Sequence, residues 1–226
     1  MIRSKIFFLS LMLPCLSAIG QKDYWAIGKE YHYNAVYKDN TGKVITSEQV
    51  SIIPTGEIWE TDPQQTLATY RLNFSSADSV QLASTPLNGV MKEWKREYQE
   101  GVISNDKKVW MHPVRVNQYI LTEVAPFPEV QFPLKEGLSW TSTLWVYKAF
   151  GSFEGTVECS YKVSKKESKT YSFGKLNCWR INATAVHDKL GVSTTTIYFE
   201  EEIGFVELDY KFYNGQTLNF SLERYR

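Results

Sequence analysis

The sequence has no excess of charge of either sign, because Lys+Arg and Asp+Glu each total 25 and the formal net charge is +0. Nucleic-acid-binding domains carry concentrated basic charge, and anionic membrane surfaces attract basic segments, so this balance argues against both partners. The sequence also lacks a P-loop, a dinucleotide-binding fingerprint and a nucleophile elbow. We therefore expect neither an enzyme nor a bound cofactor.

Histidine is scarce as well: His32, His112 and His187 are the only three, and no two lie close together in the sequence. Metal motifs typically combine closely spaced His and Cys residues, so we expect no metal site. His187 stands beside Asp188 in a predicted turn, and we interpret it as a solvated turn residue.

Only one long hydrophobic run is present, at residues 6–16, between a basic start and a group of small residues. These are the parts of a secretory signal peptide, and the run is shorter than the roughly 20 residues that span a bilayer. We predict a signal peptide at residues 1–20 and one domain at residues 21–226, secreted or periplasmic and not an integral membrane protein. Lipid anchoring at Cys15 is the less favoured alternative, because Pro14 stands where such sites normally carry a small residue.

Cysteine is rare, and after signal removal only Cys159 and Cys178 remain. In an oxidising compartment an isolated pair favours one disulfide. The alternation of apolar residues, however, pairs Cys159 with Trp179, one residue away from Cys178. A disulfide therefore requires a β-bulge near Cys178 or Trp179, and both possibilities stay open.

What the chain does have is aromatic residues, at 15% of the sequence. Aromatic and β-branched side chains suit strands, and apolar and charged residues alternate strictly over residues 206–212 and 218–223, as in strands with one wet face. Asn214-Gly215 between them predicts a hairpin, with a three-residue loop that places the glycine at positive φ. We predict an all-β fold, a single antiparallel, strongly curved sheet or incomplete barrel with a C-terminal β-meander. The central inward row of that meander is Ile181, Ile197, Leu208 and Phe220.

The N-terminal half is less regular, and the pattern does not define residues 75–135 fully. Residues 90–98 fit a helix or a strand, and the prolines within 125–128 and 132–134 exclude these segments from a sheet interior, which predicts an edge or a loop wrapping the domain. The strands predicted in this half are residues 31–37, 43–53, 69–74, 107–111 and 119–124.

Two functions follow from this pattern. The first is a non-enzymatic envelope carrier whose curved sheet shelters an apolar, lipid-like ligand, since burial of apolar surface drives such binding. The second is an envelope or surface module that binds a glycan or a protein through exposed aromatic residues such as Trp94 and Trp110. The apolar residues predicted to line the carrier cavity are Trp179, Ile181, Ile197, Phe199, Leu208, Tyr210 and Phe220.

Polar candidates are grouped at the end of a predicted strand, where Trp110, His112 and Arg115 follow one another closely. Loops at sheet ends often present binding groups. Arg115 could hold a carboxylate or phosphate with His112 as donor or base. The alternative is a strand-terminating turn in which Arg115 pairs with a nearby acid.

A resemblance covers roughly the last 90 to 130 residues. Gly137 to Trp140, the segment 174–181 and Gly204-Phe205-Val206 resemble periplasmic proteins distantly similar to the lipoprotein localisation factor superfamily. Trp110 to Pro113 and residues 125–128 are similar to uncharacterised secreted proteins of Bacteroidetes-like bacteria. The resemblance implies a curved antiparallel sheet wrapped into an incomplete barrel around an apolar cavity for lipid chains. It implies no particular binding residue.

Overall fold

The alternating segments form one twelve-stranded antiparallel sheet, curled into a half-barrel. This computed structural model describes residues 24–75 and 94–226, so the predicted signal peptide and Cys15 lie outside the described residues. Along the sheet the order is β6-β5-β4-β3-β2-β1-β12-β11-β10-β9-β8-β7, which places the first strand beside the last. The strands are β1 (Tyr31–Lys38), β2 (Val44–Ile58), β3 (Thr66–Asn73), β4 (Glu97–Ser104), β5 (Lys108–Met111), β6 (Glu129–Gln131), β7 (Ser139–Val146), β8 (Gly155–Tyr171), β9 (Gly174–His187), β10 (Gly191–Glu200), β11 (Gly204–Lys211) and β12 (Thr217–Tyr225).

The predicted C-terminal meander is confirmed in its register. Ile197 pairs with both Ile181 and Leu208, and Leu208 pairs with Phe220, so the central inward row forms as the alternation predicts. The three-residue loop is also present, with Gly215 at φ 84° and its N–H donating to the Phe212 carbonyl. Gly215 adopts this positive φ without a steric clash because glycine has no Cβ.

The register differs from the prediction at one end of β10 and β11. Phe199 pairs with Phe205 instead of Val206, because the register shifts by one residue between Tyr198 and Phe199. Phe205 and Val206 are therefore both buried, although they are consecutive in the chain. A bulge of this kind increases the local twist and helps the sheet to curl.

The hairpin of β8 and β9 is longer than the alternation indicates, and Cys159 does not pair with Trp179. Cys159 pairs with Ala185 and Cys178 with Glu167, so the two cysteines lie in different rows of the sheet and both are free thiols. The polar pattern of residues 165–173 predicts a turn, but residues 164–171 instead continue β8 past a bulge between Val163 and Lys166, and β9 begins at Gly174. Burial raises the pKa of Cys159 to about 12 and that of Cys178 to about 11.

In the N-terminal half, the strands predicted at residues 31–37, 43–53, 69–74 and 107–111 are present as β1, β2, β3 and β5. Of the ambiguous segment 90–98, residues 90–93 lie outside the described part of the chain, and β4 begins at Glu97. Residues 129–131 form the short edge strand β6. Within the two described ranges, no helix has the length and apolar character needed to cross a membrane.

One prediction in this half is wrong. Residues 119–124 are not a strand but part of a 3₁₀ helix, Asn117–Val124, whose residues are all buried. Asn117 adopts φ 57°, which turns the chain, and the Thr122 hydroxyl donates to the carbonyls of Val114 and Tyr119 at 2.8 and 2.9 Å. Together with its flanks it forms a segment, residues 112–128, that we call the plug.

Candidate functional site

The sequence predicts an apolar cavity on the concave face of the sheet. Six of the seven residues predicted to line it lie on that face. Each of the six has at most 2% of its surface exposed. Trp179 differs, because it is half-buried and its indole N–H donates to Glu201 at 2.8 Å, with the Lys166 ammonium 4.9 Å from its ring. The six buried residues are Ile181, Ile197, Phe199, Leu208, Tyr210 and Phe220.

The plug packs against part of this set, at Leu208 and Phe220, whereas Tyr24 and Phe132 pack against Phe199. The Tyr119 ring lies 5.5 Å from the Phe220 ring, and the Tyr161 hydroxyl donates to the Phe127 carbonyl at 3.0 Å. A gap between plug and sheet, lined by Val114 of the plug and five sheet residues, has a volume of about 10 Å³. A single water molecule needs about 10–15 Å³. In this conformation the concave face is therefore packed against the chain itself.

Buried polar contacts hold the plug as well as apolar ones. The Gln118 side-chain amide and the Tyr119 hydroxyl both donate to the carboxylate of Glu48, a buried residue of β2. The Asn117 side chain makes two hydrogen bonds of 2.9 Å with the backbone of Lys95, one in each direction. Such contacts fix the orientation of the segment, because a buried polar group without a partner is costly.

Arg115 is the centre of a partly buried ion cluster. Its guanidinium donates to both carboxylate oxygens of Glu100, at 3.1 and 2.8 Å, and to Glu123 at 3.0 Å. Burial opposes the charge of Arg115, but Glu123 and Glu100 together raise its pKa. For Glu123, burial raises the pKa of the carboxyl, and the positive charge of Arg115 partly offsets this rise. With its two carboxylate partners, Arg115 joins the plug to β4, which is the pairing with nearby acids that the sequence offered as the alternative.

His112 lies among aromatic rings beside this cluster. Its ring centroid is 4.6 Å from that of Trp110 and 5.6 Å from that of Phe127, and its Nδ1 is 3.1 Å from the Gly101 carbonyl. Burial and the charge of Arg115 lower its pKa to about 4. At neutral pH the imidazole is therefore uncharged, with an Nδ1–H that donates to Gly101.

The interpretation of His187 as a solvated turn residue is wrong. Only 3% of it is exposed, and its Nε2 is 2.9 Å from the Phe153 carbonyl while Nδ1 accepts the N–H of Lys189 at 3.0 Å. β9 ends at His187, so this residue belongs to the sheet, and its buried imidazole accepts a hydrogen bond from the turn that follows. Within residues 24–75 and 94–226, no group of three or more His, Cys, Asp and Glu could hold a metal ion.

The exposed aromatic residues are not those expected from the sequence. Trp94 is half-buried with its ring edge-on to Phe74 at 5.0 Å, and Trp110 is half-buried against His112. Trp145 on β7 and Tyr147 just after it are 70% and 74% exposed. We call these two residues the aromatic pair.

A sequence signal for the aromatic pair existed. In β7, residues 139, 141, 143 and 145 are exposed and alternate with less exposed ones, so the period-two rule directs Trp145 outward. On the same outer face of the sheet, Val186 and Val192 pair across β9 and β10 and are about half exposed. This end of the convex face is therefore its apolar part.

Comparison with known proteins bears on the fold alone. No protein-family model and no curated protein sequence matches this chain. An exported protein with a YmcC-like fold from Bacteroides fragilis NCTC 9343 is 14% identical, with a TM-score of 0.51, over 91% of this chain and 99% of that one. A lipoprotein from Parabacteroides distasonis ATCC 8503 is 12% identical over the same shares, with a TM-score of 0.49. The lipoprotein YmcC from Escherichia coli (K12) is 11% identical over 87% of each chain, with a TM-score of 0.39. The match to the Bacteroides fragilis protein thus shows a shared YmcC-like fold, in line with the resemblance seen in the sequence.

Proposed function

We propose that this chain is a non-enzymatic binding module of the cell envelope that contacts a glycan or a protein through the aromatic pair, Trp145 and Tyr147. The envelope location is supported by the signal-peptide pattern of residues 1–20 and by the exported neighbour of the same fold. The ligand surface is then the convex side of the sheet, at the β7 end.

The observation that carries the proposal is the contrast between the two faces. The six predicted residues of the concave face are buried, whereas the aromatic pair is 70% and 74% exposed. With roughly 200 Å² per aromatic side chain, the pair leaves about 300 Å² uncovered. Burying that area would stabilise a complex by up to ~7 kcal/mol, at about 25 cal/mol per Å². Trp and Tyr dominate many binding interfaces for this reason.

The test is a glycan array, followed by sedimentation with isolated cell-wall sacculi, using the wild type and Trp145→Ser/Tyr147→Ser. The matched control is Ile58→Ser, which removes an equally exposed apolar residue, 66% exposed, from a different strand. We expect the double variant to lose at least tenfold in affinity and the control to keep it. Retention of binding by the double variant would rule out the aromatic pair as the ligand surface.

A second candidate is the carrier of an apolar ligand, supported by the six buried residues beneath the plug. It requires the plug to leave the concave face, with loss of its contacts to Glu48 and Glu100. Lipid extraction and mass spectrometry of gently purified protein test it directly. Stoichiometric hydrocarbon in the extract supports a carrier, and a ligand-free extract argues against one.

A further inference from the structure

The two edges of the half-barrel differ in how they are protected. Natural edge strands are kept from pairing by shortness, charge, proline or bulges. β6 has three residues, includes Glu129 and lies between Pro128 and Pro133. β7 has eight residues, with the sequence SWTSTLWV, and carries neither a charge nor a proline. It pairs with β8 on one side and ends the sheet on the other.

The side chains of β7 are also less covered than those of its neighbour. On the inner face, Trp140 and Leu144 are only half-buried. Their partners on β8, Tyr161 and Val157, are buried. Within residues 24–75 and 94–226, β7 has no strand partner on its outer edge. There it presents half of its backbone hydrogen-bonding groups together with half-exposed apolar side chains.

We propose that β7 pairs with β7 of a second copy of this chain, antiparallel and around a two-fold axis, with Ser142 opposite Ser142 of the partner. A two-fold axis normal to the sheet puts like faces together, so opposed residue numbers share the same parity. In this register Trp140 faces Leu144 of the other copy, twice, on the inner face. Thr141 faces Thr143 on the outer face, a β-branched cross-strand pair.

The absence of charged residues on β7 is the reason for proposing a second copy of the chain as its partner. Any self-pairing strand opposes its own side chains, and like charges placed opposite each other are destabilising. Because β7 has no charged residue, self-pairing meets no such repulsion. The neighbouring register, with Thr143 on the axis, sets Leu144 against Ser142 and replaces the two Trp140–Leu144 pairs with Trp140–Val146 pairs. Val146 is already buried, at 4% exposure, so this register covers less apolar surface and the Ser142 register is preferred.

This edge pairing leaves the convex face open, so each dimer carries two copies of the aromatic pair on one continuous surface. If the proposed function holds, the dimer is bivalent and gains avidity for a repeating ligand. The dimer itself does not depend on that function, because its readout needs no ligand.

The test is sedimentation equilibrium of the full mature chain. We expect a concentration-dependent dimer. Thr141→Lys/Thr143→Lys, at two exposed positions, opposes lysine to lysine and should weaken dimerisation at least tenfold. The control Ser47→Lys/Gln99→Lys adds the same charge at exposed positions of β2 and β4 and should leave the dimer intact. A monomer at all concentrations, or a dimer indifferent to the edge lysines, would overturn the proposal.

Cysteine cross-linking tests the register. A mixture of Thr141→Cys and Thr143→Cys proteins should form a disulfide-linked heterodimer under mild oxidation, whereas each protein alone should cross-link poorly. The two native thiols are buried and do not interfere. Efficient cross-linking of Thr143→Cys alone would overturn the Ser142 register.

Discussion

Arg115 offers the sharpest test of how the plug is held. Replacing it with methionine keeps much of the aliphatic stem but removes the cation between Glu100 and Glu123, whose side chains are only 15% and 6% exposed. Breaking a buried pair by removing one partner costs about 3–5 kcal/mol, because the remaining charge stays in a poorly solvated place. Domains of this kind unfold with only about 5–15 kcal/mol. Arg115→Met should therefore remove a large part of the stability.

Urea unfolding followed by tryptophan fluorescence measures this loss as a shift of the midpoint at constant slope. The loss should also depend on pH. In Arg115→Met, Glu123 loses the cation that offsets the rise of its pKa by burial, so this carboxyl takes up a proton more readily and the deficit relative to wild type should shrink as the pH falls. The double variant Arg115→Met/Glu123→Gln, with one carboxylate fewer, should recover part of the loss. A deficit under about 1 kcal/mol that is the same at all pH values would mean that the cluster is no stronger than a surface ion pair, and would refute the reasoning.

Two further predictions concern buried titrating groups. Folding lowers the pKa of His112 from 6.5 to about 4. Between these pH values the unfolded state binds more protons than the folded state. The contribution of this group to stability is therefore complete above pH 6.5 and is lost as the pH falls towards 4. The loss in free energy of unfolding is about 3 kcal/mol. In unfolding titrations, the free energy of unfolding of His112→Gln should therefore change by about 3 kcal/mol less than that of the wild type between pH 7 and 4. The same pH dependence of stability in the two proteins would contradict the prediction. Burial holds the pKa values of Cys159 and Cys178 at about 12 and 11, so an aromatic disulfide reagent at pH 8 should label both thiols only on unfolding in urea, and rapid labelling of the native protein would disprove their burial.

The C-terminal meander was predictable because its register is fixed by local chemistry. Leu208 and Phe220 alternate with charged or polar neighbours, and a one-residue slip would expose every apolar side chain. The hairpin of β8 and β9 was not predictable, since beyond Val163 its residues are polar on both faces and no apolar row specifies where the chain turns. The separation of Cys159 from Cys178 was not predictable for the same reason, because it depends on where that turn lies.

The plug was harder still. Its 3₁₀ helix depends on one unusual residue, Asn117 at positive φ, and on burial against a sheet formed by distant parts of the chain. The partners of Arg115 come from β4 and from the plug itself, so the sequence could indicate an acid nearby but could not identify Glu100 or Glu123. The exposure of Trp145 followed from alternation in β7, whereas the burial of Trp110 depended on the plug.

The strand order has a consequence for how the chain acquires its shape. β1 and β12 are neighbours in the middle of the sheet, with Ala35 opposite Phe220. Joining them closes a loop that contains nearly the whole polypeptide, and such distant pairings slow folding. Deleting β12 would therefore remove a central strand and divide the sheet into two separate parts. A chain that still lacks β12 has no partner for the outer edge of β1, so the central part of the sheet can form only after the last strand has been synthesised.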